Sequence, residues 1–368
     1  MLSNLLLITL FSLLRFITGA ENPGDRPGVN LLFVGDAMQH QAQLDQALSE
    51  GDGKRYDYSE CFRLIAPEIT SADYAVCNLE VPLGGGPYSG YPCFSAPDSY
   101  AEALRDAGFD LFLTANNHCL DSRDKAARRT LTALDSLGVD HIGTYRDAAQ
   151  RDELVPFIKE LRGIKFAFLN YTYGTNGIEP REGMEVSLID RDRMAREIRK
   201  AREAGAEIVC VTIHWGVEYV LLENANQRSI ADFLIDCGAD LIIGGHPHVV
   251  QPMKIMRNEK ENKDVLVVYS LGNFISNMKT GDTRGGALVR VRVERDADGK
   301  ARFKHADWDT FFSAKPYGRG TNYQVIPSWM PESIPAPQRE HWLIFDRAAT
   351  RIFNTHNKGV NRRHNPAK

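Results

Sequence analysis

The chain lacks the features that would place it in several large functional classes. None of its six cysteines (Cys61, Cys77, Cys93, Cys119, Cys210 and Cys237) belongs to a C-x-x-C pair, which excludes a zinc knuckle and a thioredoxin-type redox motif. There is no excess of positive charge. Lys and Arg number 44 against 48 Asp and Glu, for a formal net charge of −4. Nucleic acid is therefore not an expected partner, and an anionic membrane surface gains no electrostatic foothold. No repeat or low-complexity tract breaks the middle of the chain. No apolar run reaches the ~20 residues that a membrane-spanning helix needs, and the longest, at 5–20, is interrupted by Arg15. What remains is a chain of 368 residues, 43% hydrophobic and 25% charged. That is the composition of a globular protein of one large domain or two ordinary ones.

The run at 5–20 (LLLITLFSLLRFITGA) ends in small residues and is followed by a polar Pro/Gly stretch. It reads as a signal peptide over residues 1–20, cleaved near Ala20, with residues 21–28 as a linker. The expected location is the cell envelope or periplasm; an uncleaved anchor is the alternative. Export would permit disulfides, whose pairing the sequence does not specify. Cys77 and Cys210 sit inside apolar runs and read as small core residues.

Beyond the linker, short apolar runs alternate with helical patterns. Strands are expected at 29–34, 74–77, 109–114, 139–142, 207–213, 239–243 and 265–268. Residues 154–169 read as a hairpin turning at Arg162-Gly163, and 287–294 with 301–305 as a second hairpin. Helices are expected at about 39–50, 59–70, 99–107, 123–137, 190–204 and 225–237. Residues 82–97, rich in Gly, Pro and Tyr, read as a long loop over a site. The folded domain is expected to span 29–315. A C-terminal extension at 316–368 is expected to be disordered over its last fifteen residues.

Strand, polar cluster, helix, strand is the grammar of a mostly parallel α/β sheet, and ligands of such sheets bind beyond the carboxyl ends of the strands. Five strand ends carry Asp36, Glu80, Asn117-His118, His214 and the His246-Pro247-His248 pair after Gly244-Gly245. A single sheet edge would gather them. All are metal-ligand types without thiolate, which suits Mn, Fe or Zn rather than a closed structural zinc site. Their number exceeds four, so two divalent ions sharing a carboxylate would use them. Such a pair hydrolyses or transfers groups at phosphorus or at a carbonyl.

Six motifs in order now carry a resemblance: Gly35-Asp36, Asn78-Leu79-Glu80, Asn116-Asn117-His118, His214-Trp215-Gly216-Val217-Glu218-Tyr219, Gly244-Gly245-His246-Pro247-His248-Val249-Val250-Gln251 and Tyr269-Ser270-Leu271-Gly272-Asn273-Phe274. Over roughly 29–295 the chain resembles the CapA family of bacterial capsule and poly-γ-glutamate synthesis proteins, which is related to the calcineurin-like metallophosphoesterases. The resemblance implies a four-layer sandwich of two mixed β-sheets flanked by helices. It implies Asp36 as the first metal carboxylate, Glu80 as the bridging one, and Asn117 as a ligand. His214 and His246 would complete one metal site with Asn117, and His248 would join Asp36 on the other. His118 would protonate or orient the leaving group, with Asn117 beside it in the catalytic motif.

The chain departs from the phosphoesterase pattern in three places. Asp-x-His becomes Asp36-Ala37-Met38, which leaves one ion short of an imidazole and His40 at the wrong spacing to replace it. The bridging Asp is Glu80, and Asn116 replaces a Gly. Glu218, Tyr269 and Asn273 are weaker candidates for substrate contact. Trp215 is expected as a pocket wall, and Arg284 could meet an anionic substrate. The expected function is an exported protein of capsule or poly-γ-glutamate biosynthesis, with a metal-dependent hydrolase-like site acting on an anionic polymer or its precursor, and membrane polymer-synthesis proteins are candidate partners. A general metallophosphoesterase acting on small phosphate esters, and a non-catalytic assembly subunit, are the competing readings.

Overall fold

A computed structural model describes residues 28–318 and 321–364. The expected signal peptide, most of the expected linker, residues 319–320 and the last four residues lie outside the described residues. The strands in chain order are β1 (Gly28–Ala37), β2 (Tyr74–Leu79), β3 (Leu111–Leu113), β4 (Asp140–Ile142), β5 (Thr144–Tyr145), β6 (Phe157–Leu161), β7 (Ile164–Thr172), β8 (Glu185–Val186), β9 (Ile208–His214), β10 (Leu241–Gly245), β11 (Val250–Asn258), β12 (Lys263–Leu271), β13 (Asn273–Ile275), β14 (Gly285–Arg295), β15 (Ala301–Ala314), β16 (Gln324–Pro327) and β17 (Asn361–Arg362).

They build two large mixed sheets. The first runs β16-β15-β14-β1-β2-β3-β4, with β13 also paired to β1 and β17 to β15. The second runs β11-β12-β10-β9-β7-β6. The inner strands of both are parallel: β1, β2, β3 and β4 in the first, and β7, β9, β10 and β12 in the second. Alternation along each strand then forms the layers. Leu31 and Phe33 of β1 face Phe166, Phe168, Ile243 and Val268 of the other sheet in one core. Their neighbours Leu32 and Val34 face outward, onto helices Gln41–Glu50 and Asp98–Asp106. Ala167 and Leu169 of β7 face outward onto helices Arg191–Glu203 and Ala225–Asp236. Both faces of these strands are buried, which is why they read as unbroken apolar runs. The expected four layers, two mixed sheets between helices, are those the chain adopts.

Two local expectations differ. The helix expected at 59–70 is reduced to Ala66–Ile69. Asp57 accepts from the backbone and hydroxyl of Ser59, and Pro67 cannot donate to a preceding carbonyl, so only one turn forms. The larger difference is at the C-terminus. Residues 339–356 form a helix whose Trp342, Phe345, Ala349 and Phe353 are buried in the inter-sheet core. After it, β17 pairs with β15, and His364 Nδ1 lies 2.7 Å from the buried Asp309 carboxylate. The described residues beyond 315 are thus part of the domain. Local Pro, Arg and Asn content suggested a loose tail, but the apolar spacing of 342, 345, 349 and 353 is helical.

Phe353 packs on Trp308 with ring centroids 4.5 Å apart. We expect Phe353→Ala to lower unfolding stability by about 3–5 kcal/mol, measured by urea denaturation. An appendage would leave the midpoint unmoved.

Candidate metal centre

The parallel strands of both sheets end at one cleft. Asp36 closes β1, Glu80 follows β2, and Asn116, Asn117 and His118 follow β3. His214 ends β9, and His246 and His248 follow β10. The ligand types therefore come from two sheets, three strand ends from one and two from the other. A single sheet edge could not have surrounded an ion with them.

The backbone makes the convergence possible. Register shifts in β1 between Phe33 and Asp36, where Gly35 lies so close to Gly272 that a Cβ would stand 1.9 Å from its carbonyl oxygen. At Gly245 a Cβ would meet Asp36 Oδ1 at 2.8 Å, so only glycine lets that carboxylate approach. His246 and His248 both hold positive φ, +97° and +58°. Non-glycine residues seldom adopt that region. Here it turns two imidazoles of one short loop toward the same cleft.

At its centre are two carboxylates, Asp36 and Glu80, each with no exposed surface. Asn78 Nδ2 donates to both, at 2.8 Å to Asp36 Oδ1 and 3.2 Å to Glu80 Oε2. His248 Nδ1 lies 3.2 Å from Asp36 Oδ2 and 3.0 Å from Asn273 Oδ1, so this nitrogen donates. Its Nε2 is left facing Glu80 Oε1 at 3.9 Å. His214 Nε2 lies 2.8 Å from Asn117 Oδ1 and 3.5 Å from Glu80 Oε1. The His246 ring sits 4.8 Å from that of His214, and its backbone N–H donates to Asp36 Oδ2 at 3.3 Å. Asn117 contacts His214, which lies beside His246, Asp36 contacts His248 and the His246 backbone, and Glu80 Oε1 faces His214 and His248.

The electrostatics identify what this cleft needs. Burial raises carboxyl pKa values, but at Asp36 the hydrogen bond and charge of His248 override it and hold the group well below the usual range. Burial, and then the neighbouring Asp36 charge, push Glu80 well above its usual value. Burial lowers His214 to about 3 and His246 to about 2, so both are neutral and able to ligate. His248 goes the other way, to about 9, because Glu80 and Asp36 outweigh its burial. Glu80 Oε1 and His246 Nδ1 are buried with no hydrogen-bond partner. Asp36, Glu80 and His248 bring ligand atoms within 4.8 Å of one another. The donor set fits a divalent cation, which would favour charged Glu80, compete with the His248 proton and offer a partner to the orphaned atoms.

His118 stands beside this cluster. Its Nδ1 lies 2.7 Å from Asp121 Oδ2 and 3.3 Å from Asn176 Nδ2, and Phe94 packs edge-on at 4.7 Å. Burial lowers its pKa, but Asp121 and the Glu80 charge bring the net shift upward. Asn116 clamps the site from below, with Nδ2 donating to Asn78 Oδ1 and Leu79 O.

Other expected residues lie elsewhere. Tyr269 and Trp215 are both buried and stack on each other at 5.9 Å in the outer core under helix Ala225–Asp236. Neither lines the cleft. Even-numbered and odd-numbered strand positions face opposite ways, and these two fall on the helix side. Asn273 orients His248 from beside Asp36, its register partner on β13. Glu218 is at the mouth, where its charge reaches His214 and His248. Met38 is buried in the outer core of the first sheet. His40 pairs with Gln43 at the start of helix Gln41–Glu50 and does not join the cluster. Arg284 is buried against Gln338 and the Phe312 ring. Sequence reasoning gave no role to Asn78, Asp121, Tyr173 and Asn176. Tyr173 lies over His246 at 4.5 Å and follows β7, so the same strand-end logic would have found it.

We expect metal-stripped protein to release protons when Mn²⁺ or Zn²⁺ binds near pH 7, because the ion must displace them from Glu80 and His248. Calorimetry in two buffers of different ionisation enthalpy measures this. Glu80→Gln should lower both the release and the affinity, the latter by about tenfold or more.

The chain is similar to several known proteins. Over 250 residues the chain is 28% identical to the capsule biosynthesis protein CapA of Bacillus anthracis, a match covering 65% of this chain and 59% of that protein. It is 26% identical over 328 residues to the PGA biosynthesis protein CapA of Bacillus subtilis, covering 84% and 74%. Among solved structures, the NAD nucleotidase of Haemophilus influenzae aligns over 93% of this chain and 65% of its own, at 10% identity and a TM-score of 0.49. The model of the bacterial capsule synthesis protein family, PGA_cap, matches residues 30–278, well over half of the chain and every strand end that feeds the cleft, and the chain belongs to that family.

Proposed function

We propose that this chain is an exported metal-dependent hydrolase of capsule or poly-γ-glutamate assembly, acting on an anionic envelope polymer or its precursor. Family membership supports the process. The single observation supporting the chemistry is the buried Asp36–Glu80–His248 cluster with its unpartnered Glu80 oxygen. The names of the Bacillus relatives, which carry capsule and PGA biosynthesis, point to the same process. The segment at 1–20 would direct export, and membrane polymer-synthesis proteins would be its neighbours there.

The donor set of carboxylate, amide and imidazole suits Mn, Fe or Zn. Asp36 and His248 would hold one ion, Asn117, His214 and His246 the other, and Glu80 would bridge them. The first has fewer protein ligands because Met38 stands where related sites have histidine. Bound divalent ions would polarise the scissile group and lower the pKa of water. The protein's own groups do the rest. Asn273 fixes the His248 ring so that Nε2 faces Glu80. Asp121 and Asn176 hold His118, whose raised pKa suits it to give a proton to a leaving group.

Purified protein should carry bound Mn, Fe or Zn and turn over γ-glutamyl peptides. His248→Ala should cut that turnover by roughly 10–100-fold. Protein without transition metal, or turnover indifferent to the substitution, would overturn the proposal. Turnover of p-nitrophenyl or bis-p-nitrophenyl phosphate without any γ-glutamyl activity would move the substrate to small phosphate esters.

A further inference from the structure

Residues 276–284, which follow β13, carry cations that the metal chemistry leaves unused. Two sets of contacts tie this segment to the cleft. Asn273, whose Oδ1 orients His248, donates through Nδ2 to Thr283 O at 3.1 Å. The Asn277 N–H donates to His40 Nδ1 at 3.3 Å, and the His40 ring packs on Phe94, which packs on His118. Arg284 follows the single turn Gly281–Thr283. It is 7% exposed, and its Nε has no hydrogen-bond partner. Its Nη2 donates to Gln338 Oε1 at 2.9 Å, and the same oxygen accepts from the Lys315 backbone at 3.0 Å. Lys315 Nζ donates to Asn277 O at 2.9 Å. Lys279, two residues beyond that carbonyl, is exposed. Among the described residues no carboxylate forms a salt bridge with Arg284, Lys315 or Lys279, not even Asp282 of the same turn. The charges that reach Lys315 are cations. Burial, then Arg284 and Lys279, lower its ammonium to about 8.

A guanidinium buried without a counter-charge destabilises a fold. Other largely buried arginines of this chain have one: Arg151 meets Glu197, and Arg290 meets Glu68, Asp307 and Asp309. Three neighbouring cations without an acid are the chemistry that binds an oxyanion. Their charge opens outward, from buried Arg284 through half-buried Lys315 to exposed Lys279. We propose that Lys279, Lys315 and Arg284 form an anion subsite at the edge of the metal cleft, which seats a carboxylate of the substrate chain. The two lysines touch the carboxylate, and Arg284 adds its charge from behind them. This deepens the function proposed above and rests on the cleft being where that substrate binds. A polyanion gains at this edge the attraction that the two carboxylates of the centre do not supply.

The test is binding, which needs no turnover. Affinities of a short γ-glutamate oligomer and of its α-amidated form are measured by calorimetry on Mn-loaded protein, for the wild type and for the double variant Lys279→Gln, Lys315→Gln. The double variant should bind the carboxylate oligomer about tenfold more weakly and the amidated one unchanged. Lys279→Gln alone, at an exposed position, should show part of the loss, and Lys315→Arg should retain binding. Undiminished affinity in the double variant, equal losses for the two oligomers, or no binding by the wild type would overturn the subsite. So would lysine-dependent binding of inorganic phosphate by protein that leaves the oligomer unbound. Lysine-dependent binding of the oligomer without any hydrolysis would uphold the subsite while the hydrolase reading fails. Hydrolysis of the oligomer with a KM indifferent to both lysines would do the reverse.

Discussion

Two carboxylates buried side by side are the constraint on which this protein is built. Asp36 and Glu80 have no exposed surface, and burying even one unpaired charge costs several kcal/mol. The metal-free chain handles the cost unequally. Asp36 takes the hydrogen bonds of Asn78, His248 and the His246 backbone and stays charged. Glu80, left with one orphaned oxygen, is driven toward its protonated form. A globular fold has no reason to retain such a pair for stability alone. The arrangement fits the divalent cation proposed above, which would complete it.

That requirement propagates outward. The carboxylates can be brought together only if the backbones around them approach closely, and this explains Gly35 against Gly272 and Gly245 against Asp36. The imidazoles can face them only if the His246–His248 loop accepts positive φ twice. Both demands fall at the ends of strands whose interiors are packed on both faces. The rigid sheets hold what the loop would not hold alone. The C-terminal helix contributes by closing the core between the sheets.

The mouth of the cleft obeys a different logic. The buried centre gathers carboxylates and imidazoles, whereas the rim exposes Tyr173 and Tyr219.

Much of this was legible in the sequence. Apolar runs ended by Gly, Asp, Asn or His at regular intervals specify parallel strands, and the strand-end rule places their polar residues in one cleft. Asp36, Glu80, Asn117, His118, His214, His246 and His248 were reached in this way because each follows a strand whose pattern depends only on local alternation. What local pattern does not encode is which face of a strand is inward, and which strands lie opposite one another. Tyr269 and Trp215 occupy motif positions, yet fall on the helix side of their sheet. Asp121 and Asn176 meet at His118 from segments 55 residues apart, and nothing in either segment names the other. The apolar stripe of the last helix was present in the sequence, but its partner is the face of β15, and only packing made it part of the core. The sequence by itself determined the ligand types and the strand ends that carry them. The tertiary structure alone decided their gathering around Glu80, the strained loop that aims two histidines, and the tyrosines at the entrance, because those depend on distances between segments that chain order does not contain.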